Sequence, residues 1–136
     1  MIIRKGLEKD RTALKELLEG FEMRGDVSAE EFLVAEEEDK IAGAVLQEQI
    51  GEDFYLRAMA VHTAWQGHGI GAQLVKRLVE GLNQMKVVAR GPAAPFYEKL
   101  GFRPVSWEVI HEDMRRECLE CSDLPTCKPV AMIYER

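Results

Sequence analysis

The sequence predicts a mixed α/β fold, with strands and helices that do not strictly alternate. Three observations carry that reading. Residues 54–61 (Phe54-Tyr55-Leu56-Arg57-Ala58-Met59-Ala60-Val61) are mostly apolar and rich in strand formers. The run Gln66-Gly67-His68-Gly69-Ile70-Gly71 behind them is a glycine-rich turn. Beyond it, apolar residues at 74, 75, 78, 79 and 82 keep the spacing of one helix face. A strand therefore runs through a glycine loop into a helix.

The remaining elements follow in order. Residues 1–5 read as a short strand, and residues 7–19, apolar at 7, 14, 17 and 18, as an amphipathic helix. Residues 20–25 break the pattern, and Ser28 is the expected N-cap of a short helix through Glu31. Residues 32–36 form a strand, Glu37-Glu38-Asp39-Lys40 a solvated hairpin tip, and residues 41–50 the next strand. Gly51-Glu52-Asp53 then turns the chain into the strand at 54. The long helix is expected over about 69–84, a strand over 86–90 and a short helix over 93–100. Strands over 102–110 and 129–135 complete the series. With no low-complexity linker and no repeat, residues 1–136 are expected to be one domain, with 106–127 an atypical cysteine-bearing segment between the last two strands.

Composition narrows the function classes. The 136 residues are 46% hydrophobic and 31% charged, the balance of a globular chain with a real core. No stretch approaches the ~20 apolar residues of a membrane span, so no membrane partner is expected. Met1-Ile2-Ile3-Arg4-Lys5 lacks a signal peptide's apolar core, so the expected location is the cytoplasm. A net charge of −6 argues against a general nucleic-acid binder and permits an amine-bearing substrate. A homodimer is compatible with all of this.

Glycines at 67, 69 and 71 let backbone N–H groups crowd around an anion, and the first amides of the following helix add positive potential. The loop thus suits a phosphate or pyrophosphate. The dinucleotide fingerprint needs G-x-G-x-x-G, whereas these glycines run G-x-G-x-G. A P-loop ends in Gly-Lys-Ser/Thr, whereas Gly71 is followed by Ala72 and Gln73. Neither motif fits.

Gln66-Gly67-His68-Gly69-Ile70-Gly71 instead resembles the Gln/Arg-x-x-Gly-x-Gly/Ala pyrophosphate loop of the GNAT superfamily of N-acetyltransferases. Downstream, Ala93-Ala94-Pro95-Phe96-Tyr97-Glu98-Lys99-Leu100-Gly101-Phe102 is similar to that superfamily's second landmark, a short helix with a Phe-Tyr pair closed by Gly-Phe. The resemblance covers residues 1 to about 105. It implies a central, mostly antiparallel sheet with helices on both faces. It also implies central strands, here 54–62 and 86–90, that splay to admit the pantetheine arm of coenzyme A.

The resemblance implies site residues as well. The backbones of Met59 and Val61 would face the pantetheine, and Ala60 would turn its side chain the other way by strand alternation. Gln66, Gly67, His68, Gly69, Ile70 and Gly71 would offer N–H groups to the pyrophosphate, with Ala72 opening the helix. His68 stands where the family often has Arg, and reads as a loop-surface residue. Tyr97 is the candidate catalytic side chain: its phenol would donate a proton or hydrogen bond to the departing sulfur. Phe96 is assigned to packing.

Two departures stand out. Members acting on protein lysines carry a glutamate four residues before the Met59 position, where this chain has Tyr55. Glu48, Glu52 and Asp53 lie nearby, and none is singled out as a general base. Arg90 replaces the Asn that often precedes the motif tyrosine by seven residues.

Cys118, Cys121 and Cys127 share one short segment, with His111 upstream. A C-x2-C pair suits thiolate chelation, and His111 would complete four ligands for a structural zinc. A three-cysteine iron–sulfur site and a redox-labile Cys118–Cys121 pair are alternatives that the sequence leaves open. Residues 106–127 are highly charged and are expected to form an exposed flap or acceptor surface that sets substrate choice or local stability. The expected function is transfer of acetyl from acetyl-CoA to a primary amine of a small molecule or peptide by direct attack. The alternatives are a catalytically silent CoA-binding or metal-binding regulatory module on the same fold, and a different acyl donor in the same site.

Overall fold

A computed structural model describes residues 1–21, 23, 28–122 and 124–136. The strands are β1 (Ile2–Lys5), β2 (Phe32–Glu37), β3 (Lys40–Ile50), β4 (Asp53–Val61), β5 (Gln84–Ala89), β6 (Phe102–Pro104) and β7 (Val130–Glu135). The helices are α1 (Arg11–Glu19), α2 (Ile70–Val79), α3 (Ala94–Lys99), α4 (Glu112–Glu120) and α5 (Leu124–Cys127). The seven strands form a sheet of order β1-β2-β3-β4-β5-β7-β6, flanked by helices. The β1–β2, β2–β3, β5–β7 and β6–β7 pairs are antiparallel and β4–β5 is parallel. This is the mixed α/β fold that the sequence predicts, with the mostly antiparallel sheet that the resemblance implies. The chain divides into two compact units, residues 1–48 with 57–80, and residues 49–56 with 81–136.

In the first unit, Leu14, Leu17 and Leu18 share one face of α1 and bury it in a cluster with Phe32, Val34, Ala44 and Ala60. The helix starts later than its apolar pattern because residues 8–10 form a 3-10 turn. Asp10 closes that turn by accepting from the Leu7 N–H at 2.8 Å. Arg4 bridges Asp10 at 2.7 Å and Glu36 at 2.8 Å, joining β1, the head of α1 and β2. The acidic tip is a two-residue hairpin turn with Glu38 and Asp39 both in the left-handed region (φ 51° and 62°). Ser28 does not cap as expected: its hydroxyl donates to Glu30 Oε2 at 2.6 Å, and residues 29–31 form a 3-10 turn with no side-chain cap. Half of the expected break at 20–25, residues 22, 24 and 25, lies outside those described.

Gly43 on β3 sets the approach of α2. A Cβ there would meet Ile70 Cγ2 at 3.1 Å and Leu74 Cδ1 at 3.3 Å. Ile70, Leu74 and Val75 are buried. The helix ends at Val79, short of the expected Gln84, because Glu80 turns extended and Gly81 adopts φ 79°. Leu82, although in helical register, lies beyond it.

In the second unit, β7 pairs with β5 over six positions, from Gln84↔Glu135 to Ala89↔Val130. The parallel ladder of β4 with β5 consists of Tyr55↔Lys86 and Leu56↔Val87. The expected 102–110 strand contracts to Phe102–Pro104. The Val105 N–H still donates to the Ala131 carbonyl at 2.9 Å, after which the Ser106 hydroxyl accepts from the Glu108 amide, capping a 3-10 turn over 107–109. Residues 106–127 are not simply an exposed flap. Ile110 and Met114 are buried against Tyr55 and Ala131, and α4 is capped by His111, whose Nδ1 accepts from the Asp113 N–H at 3.2 Å.

Candidate functional site

The end of β4 supplies the first candidates. Ala60 is buried in the first unit's core, while Met59 and Val61 are half-buried on the opposite face, the alternation that a strand imposes. The His62 amide donates to the Ala42 carbonyl at 2.7 Å, and its Nδ1 accepts from the Ala64 N–H at 3.1 Å. Gln66 Nε2 donates to the Val61 carbonyl at 3.1 Å, so this side chain anchors the loop to the strand.

Gly67 and Gly69 stand at φ 84° and 76°, and a Cβ on either would meet nothing within 4 Å. Glycine is required there by backbone conformation rather than by crowding. Gly71, by contrast, lies in the first turn of α2. Gly69 is the N-cap of α2 and has no side chain with which to cap it, so among the described residues the amides of Ile70, Gly71 and Ala72 have no side-chain acceptor. The first helical bond runs from Gln73 N–H to the Gly69 carbonyl at 3.1 Å. No acidic residue occurs between Gln66 and Ala72. Uncapped amides, the positive end of a helix and open space in front of two glycines fit a diphosphate. His68 is exposed and sets its ring edge-on to Trp65 at 6.0 Å.

One residue before Met59, the first unit has a cavity of about 420 Å³ lined by Leu18, Phe32, Leu46, Glu48, Arg57 and Ala58, among others. Arg57 Nε lies 3.2 Å from Glu48 Oε2. The sequence reading missed Arg57, although a lone cation inside the apolar 54–61 strand was a visible signal. Of the nearby carboxylates, Glu48 is thus paired with Arg57, and Asp53 with the buried Lys86 at 2.8 Å.

Tyr97 lies in the second unit on α3, with 5% of its surface exposed. Its ring meets Phe96 edge-on at 5.1 Å and Phe102 at 5.4 Å. Burial pushes its pKa up to about 12. Tyr55, at the glutamate position of the resemblance, is fully buried, and its hydroxyl accepts from the His111 N–H at 2.9 Å. Arg90 is exposed at the head of the turn before α3.

The zinc expectation is corrected. Cys118, Cys121 and Cys127 form no disulfide, and among the described residues no group of three His, Cys, Asp or Glu side chains could hold a metal ion. His111 Nδ1 is engaged as the cap of α4. Spacing had suggested a chelate, but Cys118 and Cys127 sit on different helices. Among the described residues, no helix is long and apolar enough to cross a membrane.

A family model described as an acetyltransferase (GNAT) domain matches residues 28–104, more than half of the chain. An uncharacterised N-acetyltransferase of Chlorobaculum tepidum is 25% identical over 83 residues, 57% of this chain and 52% of that protein. The chain therefore spans about half the length of this curated relative. Among solved structures, N-acetylglutamate synthase from Neisseria gonorrhoeae, complexed with coenzyme A and N-acetyl-glutamate, matches with a TM-score of 0.82 at 16% identity, over 98% of this chain and 34% of that one. Rv2747 from Mycobacterium tuberculosis, in complex with CoA, matches with a TM-score of 0.73 at 20% identity, over 100% of this chain and 99% of that one. An aminoglycoside 6′-N-acetyltransferase complexed with coenzyme A gives 0.72 at 18% identity, over 99% and 97%. These structures share the fold, and the family match extends from β2 to β6 through the glycine loop. The chain belongs to the GNAT acetyltransferase family.

Proposed function

We propose that this chain is an acetyl-CoA-dependent N-acetyltransferase whose acceptor is the primary amine of a small molecule, and that residues 1–136 act as one catalytic domain. The observation that carries the reading is the uncapped N-terminus of α2 behind two left-handed glycines, a backbone cradle for a diphosphate. In this reading the amides of Gly67 through Ala72 hold the pyrophosphate of acetyl-CoA, and the main chain at Met59 and Val61 aligns its pantetheine arm. The thioester of acetyl-CoA supplies the activated acetyl group.

The chain's own residues then have limited tasks. The cavity beside Ala58 takes the acceptor, its apolar wall against the carbon frame and the Glu48–Arg57 pair beside its polar end. Tyr97, with a pKa of about 12, keeps its proton through the neutral range and offers a hydrogen bond to the departing sulfur. Holding amine and thioester in one geometry supplies the larger share of the acceleration, and proton management a smaller one. The neighbour complexed with N-acetyl-glutamate, an N-acetylated small amine, supports a small acceptor over a peptide.

The test is release of free thiol from acetyl-CoA against a panel of amino acids, aminoglycosides, polyamines and peptides. Turnover with a small amine is the expected result. Calorimetric binding of acetyl-CoA without turnover across the panel would favour a silent CoA-binding module.

A further inference from the structure

The second unit contains a cavity that the proposed transfer reaction does not use. It measures about 430 Å³ between α4 and α5, with Trp107, Leu119, Leu124 and Pro129 as apolar wall and Arg115 and Lys128 as its cations. Among the described residues, no carboxylate lines it. Arg115 Nε is the one occluded side-chain nitrogen or oxygen without a hydrogen-bond partner among those residues. A buried, unsatisfied donor on a charged group is costly, and such groups are ordinarily paired. The neighbouring Arg116 has Glu112 at 3.4 Å and Asp113 at 3.8 Å, so acceptors are near this helix, yet they serve the other arginine.

The wall beside Lys128 is firm. Lys128 is held at φ 45°, a left-handed conformation rare for a side chain of this size. A Cβ on Gly91 would meet the Lys128 carbonyl at 2.9 Å and the Cys127 carbonyl at 3.1 Å, so the turn ahead of α3 backs this wall closely.

We propose that this cavity binds a small carboxylate with an apolar, aromatic-sized body, the carboxylate pairing with the Arg115 guanidinium at the cavity wall and the body lying against Trp107 and the leucines. A planar carboxylate matches the guanidinium edge. A phosphate ester fits less well, because the apolar wall cannot replace its hydration. The inference stands independently of the acetyl-transfer reading, since every residue that lines the cavity lies in 107–129.

Phenylacetate and its uncharged analogue phenylacetamide are the probes, titrated into the whole chain by calorimetry. The reporter is the Trp107 indole N–H resonance, assigned with Trp107→Phe. Phenylacetate should saturate and move that resonance, and should bind about ten- to a hundredfold more tightly than phenylacetamide, the range for a hydrogen bond to a charged group. Arg115→Met, which keeps much of the stem, should abolish the preference, and Arg115→Lys should restore part of it. Three results would each overturn the proposal: no saturation at millimolar phenylacetate, equal affinity for the two probes, or an unchanged preference in folded Arg115→Met and Arg115→Lys.

Discussion

The Tyr55 hydroxyl accepts a hydrogen bond from the His111 backbone N–H at 2.9 Å, across 56 positions of sequence. It latches the start of the α4 segment to β4. Tyr55 is fully buried, and the Lys86 ammonium lies 5.8 Å from its ring centroid while pairing with Asp53 and donating to the Val109 carbonyl. A position that carries an acidic residue in the protein-lysine branch of the resemblance is structural in this chain.

Tyr55→Phe keeps the ring and removes the acceptor. It should lower unfolding free energy by about 1–3 kcal/mol, the cost of leaving a buried N–H unpaired. Urea denaturation measures this. A loss below about 0.5 kcal/mol, the floor for a net hydrogen bond, would mean that water replaces the hydroxyl.

The glycine loop separates backbone strain from ligand approach. Gly69→Val should cost roughly 1–2 kcal/mol of stability, because a β-branched residue at φ 76° is strained. Gly71 is helical, so Gly71→Leu should fold at least as stably as the parent. Acetyl-CoA affinity should nevertheless fall in Gly71→Leu, since its side chain occupies the ground in front of the amides. Parental affinity in calorimetry would remove the loop from the binding site.

Tyr97→Phe should bind acetyl-CoA as the parent does and lose turnover by roughly 10²–10⁴-fold, the share of a general acid. The phenol also has a stability signature. Its folded pKa of about 12 exceeds the unfolded value near 10, so between these the folded state holds the extra proton. Stability is therefore fully present below pH 10 and lost as pH rises toward 12. Alkaline melts of parent and Tyr97→Phe should diverge over that window. Parallel curves would show that the hydroxyl ionises as freely in the fold as in water.

Asp10 carries the opposite dependence. Hydrogen bonds from the Arg4 guanidinium hold its carboxyl below the usual carboxylate range, against the opposing effect of burial. A depressed folded value means stability present above the unfolded pKa near 3.9 and lost as pH falls through the lower folded one. The parent should exceed Asp10→Asn in urea midpoint at neutral pH, and the gap should narrow in acid. A gap of constant size would show that the pair's charge contributes nothing.

Legibility differed from element to element. Strand β4, the glycine loop and α2 were read in place because their signals are local: β-formers, glycines and a 3.6-residue apolar period. The end of α2 was misjudged because Leu82 continued the apolar period, while Gly81's left-handed backbone had already broken the helix. The strand expected over 102–110 was too long because its apolar content belongs to a capped turn and to the buried underside of α4. The cysteines misled for a related reason, since spacing along the chain does not fix which way thiols on different helices point.

By itself, the sequence determined the mixed fold class, the succession of strands and helices along the chain and the place of the glycine loop, because backbone preference and apolar periodicity act over a few residues. Only the tertiary structure decided that Tyr55 is a latch, that His111 is a helix cap, and that Arg57 meets Glu48 beside a cavity. It alone showed an Arg115 nitrogen buried without a partner. Those facts depend on which residues meet across tens of positions. Burial and hydrogen-bond pairing, set by packing, assign each of these side chains its chemistry.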